Sequence, residues 1–73
     1  MSTSEIRTLG DALPREMARV RDELIPIYSA IGPVGGFALA MMRHDLDRAA
    51  RAMASGDLVE MIAVYESLKG YKA

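Results

Sequence analysis

His44-Asp45-x-Asp47 is the one place in this chain where groups able to move a proton or hold a metal stand together. His44 and Asp47 are three residues apart, so on a helix they share a face and can meet. Two such ligands do not complete a metal site, and the chain has no second His and no Cys to add nitrogen or sulfur. The expectation is therefore a solvated helix face, with Asp47 paired to Arg43 or Arg51. With a single His, any Ser/His/Asp triad has to include it. No paired-carboxylate arrangement is legible, and so small a chain has little room for a water-excluding pocket. The sequence thus points to no catalytic, cofactor-binding or metal-binding residue, and to a protein that is not an enzyme.

The second candidate is Gly32-Pro33-Val34-Gly35-Gly36, since helix N-termini attract anions and glycine-rich loops cradle phosphates. It lacks the following Lys-Ser/Thr and the preceding strand that a phosphate loop requires. It reads instead as the corner of a helical hairpin. Gly32 suits the end of one helix, because it accepts backbone angles closed to other residues. Pro33, with its φ preset and no N–H, suits the first position of the next. Gly35 and Gly36 then fall in a first helical turn, where each costs roughly 1 kcal/mol against Ala. Close backbone approach to the neighbouring helix is the expected reason for both.

Arg43, Arg48 and Arg51 form the third candidate, a basic face on the second helix. Asp45 and Asp47 interleave with them, no aromatic platform lies nearby, and the formal net charge is −1. That gives little attraction for a phosphate backbone. A small DNA-binding regulator using the second or third helix is kept as an alternative, because Ser55-Gly56-Asp57 joins those helices much as a helix-turn-helix would.

The elements that position these residues are helices. Leu9, Leu13, Met17, Val20, Leu24, Ile27, Tyr28 and Ile31 recur at spacings of three and four, one apolar stripe of a helix over about 11–31. Residues 1–10 are expected to be a flexible N-terminus, with Asp11 as N-cap and Pro14 in the first turn. Arg19 and Glu23 are a surface pair one turn apart. Pro26 should kink this helix or break it near Leu24–Ile25. A second helix over about 33–54 turns Ala38, Met42, Leu46, Ala49 and Met53 inward. Gly56 then suits a left-handed helix end, and Asp57 with Glu60 resembles a capping box opening a third helix over 58–69. Leu58, Met61, Ile62, Tyr65 and Leu68 make its stripe, Gly70 offers a stop, and Tyr71 can fold back on the last turn. The fold class is all-α: a three-helix bundle, or a hairpin plus a third helix, in one domain over 11–73.

The first half of the second helix breaks this pattern. Val34, Phe37 and Met41 occupy the azimuth that His44, Arg48 and Arg51 hold further along, so that half is apolar on nearly every side. Either it lies in the core beneath both neighbours, or it exposes a patch to a partner. Val34, Phe37, Met41 and Met42 are the candidate contact residues. No charged residue occurs from Leu24 to Met42, close to the length of a membrane span. A single-span membrane protein through 24–42 is a further alternative, opposed by Pro26, Gly32, Pro33, Gly35 and Gly36.

With 73 residues and no Cys, the chain has room for one marginal core and no disulfide staple, which favours well-packed helices or a partner subunit. Absence of Cys, and a start Met1–Glu5 without the basic region and apolar run of a signal peptide, fit the cytoplasm. The runs Leu13-Pro-Arg-Glu-Met-Ala-Arg-Val-Arg-Asp-Glu, Ala30-Ile-Gly-Pro and Ser55-Gly-Asp-Leu-Val-Glu-Met-Ile-Ala-Val-Tyr-Glu-Ser-Leu-Lys-Gly-Tyr resemble small uncharacterised helical proteins encoded in bacterial prophages. The resemblance implies a cytoplasmic, mobile-element accessory protein and brings no established activity and no functional residues. The function expected is protein–protein binding or self-association into a homo-oligomer, with no cofactor.

Overall fold

The computed structural model describes residues 3–72, with side chains from residue 8 onward. Among the described residues the chain is all-α, without a strand. Its elements are α1 (Thr3–Arg19), a π-helical turn (Val20–Leu24), α2 (Ile25–Ala30), a 3-10 turn (Gly32–Gly35), α3 (Gly36–Ser55) and α4 (Leu58–Lys69). The first three follow without a loop and make one long arm. At about 1.5 Å per residue the arm from Thr3 to Ala30 accounts for the longest dimension of the molecule, 42 Å against 18 and 15 Å across. α3 folds back along the arm, and α4 reverses again to pack on α3 and α1.

The arm starts earlier than its sequence suggests. Helix begins at Thr3 rather than near Asp11, so Asp11 is an exposed mid-helix residue and not a cap, and Pro14 lies in the helix interior. The carbonyl deprived of a partner by Pro14 belongs to Gly10, which is exposed and open to water. Leu9, one turn before Leu13, is buried with it in the core, and that burial is what the helix gains by continuing past the proline. Of the expected flexible stretch, Met1 and Ser2 lie outside the described residues.

Pro26 does not break the arm. The amide of Ile25 bonds to the carbonyl of Val20, five residues back, and Leu24 and Ile25 both keep right-handed helical angles. This wider turn places Pro26 at the second position of α2, where an N–H has no obligatory acceptor. The irregularity expected there is thus a π-turn. The corner follows: Gly32 has φ +73°, the left-handed value that favours glycine. Pro33 sits in the 3-10 turn, and the second helix proper begins at Gly36 rather than at Pro33.

The far turn matches its sequence signals except that the capping box is one-sided: the Asp57 amide donates to Ala52 O at 3.0 Å, and the Glu60 carboxylate accepts from Arg48 instead. Gly56 ends α3 with φ +70°, and its amide reaches Ala52 O and Met53 O. The Asp57 carboxylate accepts the Glu60 amide at 3.1 Å and opens α4 at Leu58. At the other end of α4, Arg19 donates to Leu68 O at 3.0 Å and pairs with Glu16 at 2.6 Å, not with Glu23. The Leu68 carbonyl also accepts the Tyr71 amide at 3.2 Å, so Arg19 is its second donor and ties the end of α4 to the arm.

One apolar cluster holds the three helices together. Leu9, Leu13, Val20 and Leu24 come from the arm, Met42, Ala49 and Ala52 from α3, and Met61, Val64 and Leu68 from α4. Each large side chain among them is worth about 1.5–3 kcal/mol on burial. The buried face of α3 is rotated from the one its sequence suggests: Met53 is exposed, while Ala52 and Asp45 lie inside. Val64, unmarked by the α4 stripe, is fully buried, and Leu58 is exposed.

Candidate interaction surface

The buried core stops at Leu24 on the arm and at Met42 on α3. Between them, from Ile25 to Met41, Gly35 is the one buried residue. The reason is the length of α4. It has 12 residues against 20 in α3. Its end is fixed beside Arg19 through Leu68 O, and beside Asp45 through the Tyr71 hydroxyl at 2.7 Å. α2 and the first two turns of α3 therefore extend beyond the third helix as a two-helix tip. Val34 (87 % exposed) and Phe37 (79 %) stand at it, flanked by Met41, Ile31 and Ile27, each near half exposed. Val34, Phe37 and Met41 follow at three and four residues, one face of α3 and of the turn leading into it. Tyr28, on the opposite flank of α2, donates its hydroxyl to Lys72 O at 2.5 Å.

The outcome differs among the four candidate contact residues. Val34, Phe37 and Met41 are exposed, and Met42 is not: it is fully buried in the core, so it presents nothing to a partner. Adjacent residues on a helix lie about 100° apart, which suffices to put Met41 outside and Met42 inside.

The two corner glycines also separate. A Cβ on Gly35 would collide with the carbonyl oxygen of Tyr28 and lie 3.0 Å from Ile31 Cγ1. Gly35 is the close approach that closes the hairpin. A Cβ on Gly36 would meet nothing within 4 Å, and its φ −60°, ψ −42° are ordinary helical angles. The expectation of close approach at Gly36 does not hold within one chain. Gly35→Ala is thus expected to destabilise by at least about 1 kcal/mol, and Gly36→Ala to stabilise by about 0.4–1 kcal/mol. Chemical denaturation of dilute protein checks both. A stabilising Gly35→Ala would show that the hairpin does not close there.

The polar groups form a separate structure. Asp45 is buried at 5 % exposure. It accepts from Arg48 at 2.9 Å and from Tyr71, and Arg48 also pairs with Glu60 of α4. The Arg48 guanidinium is held above its ordinary pKa, chiefly by the Glu60 hydrogen bond. Burial pushes the Tyr71 phenol up to about 12, helped by the Asp45 carboxylate that accepts its proton. No described buried side-chain nitrogen or oxygen lacks a partner. Arg51 pairs with Asp47 on the exposed side, as the sequence suggests. Beside these pairs an open groove of about 390 Å³ runs between α3 and α4, lined by His44, Arg48, Arg51, Ser55, Asp57 and Glu60.

That arrangement bears on each chemistry considered from the sequence. Asp45 leaves the His44-Asp45-x-Asp47 cluster for the interior, and among the described residues no group of three or more His, Asp or Glu is placed to hold a metal. Two of the three cations on the basic face, Arg48 and Arg51, are engaged by carboxylates. Residues 24–42 fold as a turn and two helix ends, and among the described residues no helix is long and apolar enough to cross a membrane. Sequence reasoning missed the Asp45–Tyr71 pair and the exposure of Ile27 and Ile31. The signal for the latter was present: the third helix expected over 58–69 is ten residues shorter than the second expected over 33–54. A scan against protein-family models gives no match, and searches of curated proteins and of solved structures give none either.

Proposed function

We propose that this chain is a small helical accessory protein of the phage or mobile-element type, cytoplasmic and without a catalytic step, that works by docking its uncharged hairpin tip on a protein surface. One observation carries the reading. Five large apolar side chains, Ile27, Ile31, Val34, Phe37 and Met41, are exposed in a segment of otherwise regular structure where only Gly35 is buried. Scattered exposed apolar residues are ordinary, but five within residues 27–41 of one hairpin mark an interaction site. The mobile-element setting rests on the likeness of the three sequence runs to prophage proteins.

A photoreactive phenylalanine analogue placed at Phe37 tests docking in growing cells. The expected result is a covalent adduct to protein from position 37 and none from Val59, an equally exposed apolar residue at the opposite end of the molecule. Equal labelling from both positions, or none from 37, would overturn the reading.

A further inference from the structure

We propose that the partner at the tip is a second copy of this chain, with two tips packed about a twofold axis into a four-helix junction. The proposal rests on the docking reading above and narrows it.

Over most of the molecule α4 packs against both α1 and α3, three helices around one core, while α3 meets the arm chiefly at α2. Beyond Asp45 the layer is only α2 and the first two turns of α3. Two helices alone leave an apolar face uncovered, and a stable solution adds another layer. A second tip brings two helices of the same length, and the four together make an ordinary bundle. A twofold contact uses the same patch on both chains, so it closes at two copies.

Charge supports the same occupant. From Leu24 to Met42 there is no charged side chain. A tip meeting its own copy buries no charge and meets no like-charge repulsion. Nothing in the tip recognises an acidic or basic partner surface, and no Lys or Arg stands in it to attract an anionic lipid headgroup.

Gly36 supplies an independent point. In the single chain its space is empty and its angles are helical, so glycine there weakens the helix with no return. Gly36 and Ala40 are exposed one turn apart. A second helix crossing at them gains the close approach that the monomer does not use. The patch is small. A standard interface takes about 20–30 residues a side, and the 17 residues from Ile25 to Met41 fall below that even if all take part. The dimer should therefore dissociate on dilution.

The test is absolute mass by light scattering after size exclusion, over a dilution series in detergent-free buffer. The wild-type chain is expected to approach twice its 8.0 kDa at high concentration and fall to 8.0 kDa on dilution. Phe37→Asp should weaken association about thirtyfold or more with helicity unchanged. Gly36→Ala, which no folded-state contact opposes, should also weaken it, and Val59→Asp should not. If Phe37→Asp loses helicity, Gly36→Ala decides. A chain that is 8.0 kDa at every concentration overturns the proposal. If position 37 then still captures a protein of other mass in cells, docking stands and the second copy falls; if it captures none, both fall. A ladder of masses beyond two that Val59→Asp abolishes, or flotation with neutral lipid vesicles in place of dimer, also overturns it.

Discussion

Met42→Ala is expected to lower the stability of the dilute chain by about 2–5 kcal/mol, and Met41→Ala to change it by no more than about 0.5 kcal/mol. The two residues are neighbours of the same type. Met42 has no exposed surface, and its truncation leaves a cavity within the buried cluster. Met41 is 44 % exposed and belongs to the tip. Equilibrium urea unfolding followed by circular dichroism measures both, with the denaturant slope checked for constancy. The contrast locates the boundary between core and tip to within one residue. A Met41 effect as large as that of Met42 would mean that the tip is closed within the single chain, and the exposed-patch reading would go with it. A small Met42 effect would mean that the core does not extend as far as this turn of α3.

How much of this was legible depends on the range of the forces concerned. α4 runs from Leu58 to Lys69, as the capping signals of Asp57 and Glu60 and the stop at Gly70 indicate, because a cap is chemistry within three or four residues. Gly56 and Gly32 follow the same logic, since a left-handed backbone angle selects glycine locally. The start of α1 was not legible. Asp11 and Pro14 form a sound local N-terminus signal, and it is overridden by burial of Leu9 against partners far along the chain. The arm shows the same limit at Pro26, where local rules require an irregularity but do not choose among a kink, a break and a π-turn. The choice between core and surface for Phe37 was open for a related reason. Periodicity shows that the helix is apolar on nearly every side, while its exposure depends on where a different helix ends.

Asp45→Ala is expected to destabilise the chain by about 1–3 kcal/mol, the cost of removing an acceptor from two donors that stay in place. Arg48 retains Glu60, but the Tyr71 hydroxyl loses the Asp45 carboxylate it donates to. A double-mutant cycle with Tyr71→Phe should return a coupling of about 0.5–3 kcal/mol, since the two residues are in direct contact. The pair also has a pH signature. Its phenol is raised from 10.0 to about 12, first by burial and then by the carboxylate beside it, with Arg48 opposing weakly. A raised value means that the folded chain holds the proton more tightly than the unfolded one. The stability so contributed is complete below pH 10 and is lost as the pH rises toward 12. Unfolding midpoints across that window should fall in the wild type, and fall less in Tyr71→Phe. An unchanged slope in that variant would remove Tyr71 from the network. Asp45 escaped the sequence reading because a carboxylate among arginines on a helix looks solvated, and its second partner is 26 residues away. Yet this pair, with Arg19 on Leu68 O, ties the end of the third helix to α3 and the arm. Loss of the pair should fray the end of α4 and enlarge the apolar surface that begins at the tip, and the binding of a hydrophobic dye by Asp45→Ala should rise accordingly.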